Sequence, residues 1–106
     1  MEHFLKEKNI PFESQKRFKW LGKQSLDFYL TDYNIAIECQ GIQHFEPIKF
    51  FGGKKNFKKQ LIRDTKKQLL CSKYNLKLLY YTNIEKYQDK LKYLNIDELL
   101  NIVKNL

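Results

Sequence analysis

Cysteine is scarce in this chain: Cys39 and Cys71 are the only two in 106 residues, and no CxxC spacing occurs. A structural zinc site takes about four grouped ligands, and the sequence does not group them. A disulfide belongs to an oxidising compartment, which nothing here suggests, so both cysteines read as reduced, buried thiols. Long apolar runs are lacking too. No segment approaches the roughly 18 apolar residues of a membrane span, and no membrane partner is expected. The opening residues carry Glu2, Lys6, Glu7 and Lys8 where a secretion signal would be apolar. The expected location is therefore intracellular, cytoplasmic or nucleoid-associated. Repeats and low-complexity tracts are absent.

What the chain does have is positive charge and aromatic rings. Twenty Lys and Arg face twelve Asp and Glu, a formal charge of +8. Aromatics make up 15% and apolar residues 42%, too many for a disordered chain. The length fits a single domain, residues 1–106, standing alone or within a longer protein. The charge favours a polyanionic partner.

The patterning predicts an α/β (α+β) domain. Residues 1–8 read as a helix stopped by Asn9 and Pro11, and residues 12–20 as a strand. Residues 25–30 and 33–40 alternate in polarity and suit a hairpin around a two-residue turn, Thr31-Asp32. Residues 41–53 form a loop. Residues 54–74 form a long helix, with Phe57, Leu61, Thr65 and Leu69 as its apolar stripe, stopped by Asn75. Residues 76–82 form an apolar strand, and two short helices follow at 85–93 and 97–104. The order is α-β-β-β-α-β-α. The crossover helix requires residues 33–40 and 76–82 to run parallel, giving a small mixed sheet flanked by helices.

Alternation then sorts the side chains. Leu26, Phe28 and Leu30 share one face with Tyr33, Ile35, Ile37 and Cys39, because that parity builds a continuous core. Asp27 and Glu38 fall together on the other face. The two-residue turn sets them diagonal, roughly 7–8 Å apart. Two such carboxylates suit Mg²⁺ or Mn²⁺, with Gln40 beside them. His44 follows just past Gly41, where a proton-transfer group would serve. The long helix holds Lys54, Lys55, Lys58, Lys59, Arg63, Lys66, Lys67 and Lys73 against one acid, Asp64. Charge so concentrated is the footprint of phosphate contacts. Asp64 lies near the apolar stripe, placed either to join Asp27 and His44 or to pair with Lys67 along the helix.

Asp27 followed by Glu38-Cys39-Gln40 resembles the D…ExK pattern of PD-(D/E)XK nucleases, with Gln40 in the lysine position. Leu26–Leu30, the run from Ile37 to His44, Phe50-Phe51-Gly52-Gly53 and Arg63-Asp64 are similar to the branch of very-short-patch repair endonucleases. That branch includes phage homing endonucleases with an E-D-x-H-D pattern. The resemblance implies a restriction-endonuclease-like core and a Mg²⁺-dependent endodeoxyribonuclease. Its catalytic residues would be Asp27, Glu38, Gln40, His44 and Asp64, with Asp27, Glu38 and Asp64 on the metal. Lys54, Lys55, Lys58, Lys59, Arg63, Lys66 and Lys67 would grip DNA. His44 would act as general base or donate to developing charge. The branch's first acid falls upstream, leaving Glu2, and less well Glu7, as substitutes. A homodimer or a fused DNA-recognition domain is the expected further partner. The alternative is a catalytically impaired nucleic-acid-binding or assembly module on the same fold.

Overall fold

The computed structural model describes residues 1–41, 52–84, 93–94, 98 and 101–102. It is a mixed α+β structure. The elements are α1 (Glu2–Glu7), β1 (Glu13–Lys16), a 3-10 turn (Lys19–Leu21), β2 (Leu26–Leu30), β3 (Ile35–Cys39), α2 (Gly53–Lys73), β4 (Lys77–Tyr81) and β5 (Tyr93–Leu94). The five strands pair in chain order. β1, β2 and β3 are antiparallel, and β3, β4 and β5 run parallel, as the helical crossover between β3 and β4 requires.

α1 and α2 each end where asparagine allows. Asn9 (φ 56°) and Asn75 (φ 58°) adopt the left-handed conformation that terminates a helix. The next N–H closes each end: Ile10 donates to the Leu5 carbonyl and Leu76 to the Cys71 carbonyl, at 3.0 and 2.9 Å. Ile10 and Leu76 are themselves buried, so each stop also turns an apolar side chain into the core.

The sheet carries a core on each face. On one, Leu5 and Ile10 pack on Leu30, Ile35 and Ile37. On the other, Ala36, Leu26 and Leu21 meet Cys71 and Leu76. A stack of rings ties the 3-10 turn to the end of α2: Phe18 on Trp20 at 5.0 Å, and Trp20 on Tyr74 at 4.6 Å.

Several expectations change. The strand expected at 12–20 stops at Lys16, because Phe18 leads into the stacked 3-10 turn. The β2–β3 turn has four residues, not two. Leu30 pairs with Ile35 and Tyr29 with Ala36. Asn34 (φ 55°) closes the turn, accepting from the Tyr29 hydroxyl at 2.8 Å and donating to the Asn75 carbonyl at 3.1 Å. The expected helices at 85–93 and 97–104 lie mostly outside the described residues. Tyr93 extends the sheet beside Tyr80 instead of ending a helix, and Glu98, Asn101 and Ile102 are helical.

The stripe on α2 also differs. Leu61 is 43% exposed and Leu69 68%, while Phe57, Gln60, Asp64, Lys67, Gln68 and Cys71 are half-buried or buried. A strict four-residue spacing drifts about 40° per step around a helix of 3.6 residues per turn. The Phe57–Leu69 series therefore winds out of the interface, whereas alternating three- and four-residue steps keep Gln60, Asp64, Lys67 and Cys71 on one face.

Candidate active site

The register of β2 and β3, carried one step beyond Phe28–Ile37, sets Asp27 directly opposite Glu38. The two acids are thus direct neighbours and not diagonal ones. A shift of two residues preserves which face each side chain occupies, so they still share a face. They also interlock through the backbone. The Asp27 N–H donates to Glu38 Oε2 at 2.8 Å, and the Cys39 N–H donates to Asp27 Oδ2 at 3.0 Å.

This face lies beneath α2 and is not solvated: Glu38 is 6% exposed and Gln40 5%. Burying a carboxylate demands a partner, and Lys67 supplies it. Its ammonium donates to Glu38 Oε1 and to the Ser25 carbonyl, the latter at 2.7 Å. Burial pushes the Glu38 carboxyl above its ordinary range. The Lys67 ammonium pulls against that, Asp27's charge adds to it, and the Asp27 N–H opposes it. The Cys39 thiol is pushed up to about 11 by burial and by Asp27's charge, and burial takes Cys71 to about 11 as well. Both cysteines are free; Cys71 is buried as expected, and Cys39 is half-buried.

Asp27, Glu38, Gln40 and Asp64 line one open cleft of about 600 Å³, together with Lys23, Arg63 and Lys67. Asp64 enters it from α2, held by Gln60 Nε2 at 3.0 Å. Asp64 and Lys67 therefore do not form the intrahelical pair that their spacing suggests. Lys67 is also set apart from the basic surface, turned under the helix onto Glu38. Lys54, Lys55, Lys58, Lys59, Arg63 and Lys66 are exposed along α2. His44 lies outside the described residues. Glu2 and Glu7 pair with Lys6 and His3 on α1, and neither lines the cleft.

The reading from sequence missed two supports. Gln15 approaches Asp27 Oδ1 at 3.5 Å and accepts from the Ser25 hydroxyl at 2.8 Å; it sits opposite Asp27 in the β1–β2 register. Lys67, expected on the DNA-gripping surface or beside Asp64, was legible as the partner of Glu38 only through Cys71, four residues on and on the same buried face.

Among the described residues, no three His, Cys, Asp or Glu side chains converge as a ready-made metal cluster. The donor chemistry nonetheless suits a hard divalent cation, which takes oxygen ligands and keeps several waters. Asp27 and Glu38 offer adjacent carboxylate oxygens. Gln40 Oε1 is buried with no hydrogen-bond partner among the described residues, an acceptor that a bound cation or its water shell would satisfy.

No family model matches the sequence, and no solved structure matches it. A 56-residue stretch is 41% identical to "Uncharacterized protein 094L" of Frog virus 3 (isolate Goorha), covering 51% of this chain and 36% of the viral protein. The chain is thus similar to about a third of that protein's length.

Proposed function

We propose that this chain is the core of a metal-dependent DNA endonuclease that hydrolyses phosphodiester bonds, with a sheet and helices in the restriction-endonuclease-like order. The observation that carries the reading is the interlocked Asp27–Glu38 pair, mostly out of water beneath a basic helix. A buried acid beside a half-buried one opposes folding, and such clusters concentrate at functional sites. Asp27 and Glu38, with the Gln40 amide oxygen, would hold Mg²⁺ or Mn²⁺. When bound, that ion supplies charge neutralisation at a phosphate and lowers the pKa of water.

The remaining work belongs to the chain's own residues. The exposed lysines of α2 hold backbone phosphates, which position DNA without reading its sequence. Arg63 stands both on that surface and in the cleft lining, where it can meet the phosphate that enters. Asp64, fixed by Gln60, orients water or the cation's hydration shell from the helix side. His44 keeps its assignment from sequence as the proton-transfer group. One cleft cuts one strand at a time, so a double-strand break calls for a homodimer, and sequence preference calls for a fused recognition domain.

The test is nicking of supercoiled plasmid with Mg²⁺, Mn²⁺ or EDTA. Wild type should nick with either ion and not with EDTA, and Asp27→Ala should lose nicking while DNA binding stays nearly intact. Cleavage retained by that variant ends the assignment. A second reading draws on Glu2 and Glu7, which pair within α1 away from the cleft. It is a catalytically impaired nucleic-acid-binding or assembly module, which binds but never nicks under any ion.

A further inference from the structure

The cleft lining is charge-balanced without any bound ion: Asp27, Glu38 and Asp64 stand against Lys23, Arg63 and Lys67. Lys67 is the member that reaches the buried acid itself. Its side chain is 14% exposed and that of Glu38 is 8%. Two of its three N–H donors rest on Glu38 and on the Ser25 carbonyl. The ammonium therefore sits where a divalent cation between Asp27 and Glu38 would draw its own ligand oxygen. A double positive charge added beside it would leave the acid pair over-neutralised, with the Lys67 and Glu38 side chains themselves little exposed to screening water.

We propose that Lys67 is an exchangeable counter-cation: it neutralises Glu38 in the ion-free protein and gives up Glu38 Oε1 when a divalent cation binds. This inference rests on reading the cleft as a cation site. The released ammonium stays in the cleft on its four-carbon stem and becomes the positive partner for an incoming phosphate oxygen. Gln40, a neutral amide, does not provide that charge from the strand. The exchange couples the two ligands: the cation frees the lysine for the phosphate, and the phosphate stabilises the lysine away from Glu38, so each raises the affinity for the other.

Competition and ordinary support predict opposite signs. Loss of a residue that merely supports a metal ligand lowers metal affinity about 10–100-fold. Loss of a competitor raises it. The test is a Mn²⁺ titration of the full chain, without DNA, following the free-ion signal by electron paramagnetic resonance. Lys67→Met and Lys67→Gln should each bind Mn²⁺ about tenfold or more tightly than wild type. Lys67→Arg, which keeps the charge, should bind no more tightly than wild type. Unchanged or weakened binding in the two neutral variants overturns the exchange while leaving the cation site standing. Wild-type affinity retained by Glu38→Gln and by Asp27→Asn overturns the cation site itself, as does absence of Mn²⁺ binding in every variant.

Discussion

Replacing Lys67 by Met removes the positive partner of a carboxylate with an 8% exposed side chain. Breaking a buried ion pair by deleting one member costs about 3–5 kcal/mol, because the other charge is left uncompensated. Both side chains are well under a third exposed, so solvent screening gives back little of it. Glu38 has one escape, which is to take up a proton. Burial already lifts its folded pKa above the unfolded value, and removing Lys67 lifts it further, since the ammonium is the main opposing influence. An acid with a raised folded pKa contributes its full stability below the unfolded pKa and loses it as pH rises through the folded one. The defect of Lys67→Met should therefore be small near pH ~4, grow by about 1.4 kcal/mol per pH unit across the window, and level off above it. In a domain of roughly 5–15 kcal/mol, the plateau is a large fraction of the total. Trp20, the single tryptophan, stacks between Phe18 and Tyr74 and reports urea unfolding by fluorescence. Adding Glu38→Gln to Lys67→Met should abolish the pH slope and restore most of the midpoint. A loss that ignores pH, or a double variant no better than the single, refutes the argument.

Other outcomes follow from the same geometry. DNA binding through about five of the α2 cations should give a log–log salt slope near −4.5, and Lys58→Gln with Lys59→Gln should make it shallower by about 1.8; a slope near zero would support an assembly role. Asn34→Val should cost about 1–2 kcal/mol from its left-handed backbone, plus the contacts to Tyr29 and Asn75, whereas Asn34→Gly should lose mainly the contacts; a chemical-denaturation series separates the two. Cys39 and Cys71, with pKa values pushed up to about 11, should be alkylated by iodoacetamide far more slowly at pH ~8 than a free thiol of pKa about 8.5, and both should speed up together on unfolding.

Much of this fold was legible because its signals are local. Asn9 and Asn75 stop the helices for the reason that makes asparagine tolerant of the left-handed region. The alternation of 26–30 and 35–39 put Asp27 and Glu38 on one face correctly, since parity survives an even shift of register, but Leu26, expected beside Phe28 and Leu30, packs with Ala36 and Leu21 in the opposite core. The shift itself was not legible. Thr31-Asp32 looks like a sufficient turn, and nothing nearby reveals that Asn34, bonded to Tyr29 and Asn75, extends it to four residues. That contact joins residues 41 apart in the chain. Its consequence is what turned Asp27 and Glu38 from diagonal into direct partners. Lys67 was hidden for a similar reason: its partner Glu38 is 29 residues away, and spacing along the helix offered Asp64 first.

The inversion of α2 bears most directly on function. An ordinary surface helix turns its apolar stripe inward and its polar face to water. Here Gln60, Asp64 and Lys67 point to the sheet side, while Ile62 and Leu69 are each 68% exposed. Hydrophobic burial accounts for only part of that orientation: Leu70 and Cys71 pack into the core, yet Ile62 and Leu69 stay in water. What fixes it is the contact set of its inner face: Cys71 in the core, Lys67 on Glu38 and Ser25, and Asp64 in the cleft. A helix that turns a lysine and an aspartate toward two acids while leaving Ile62 and Leu69 exposed departs from the usual amphipathic pattern. Such conflicts between local pattern and global fold are expected at functional sites. If the reasoning holds, neutralising the inner face with Asp64→Asn and a paired Lys67→Met, Glu38→Gln change should leave a helix that stays folded and a cleft that no longer binds Mn²⁺. Retained Mn²⁺ binding in that triple variant would mean that the polar face of α2 serves something other than the acids it covers.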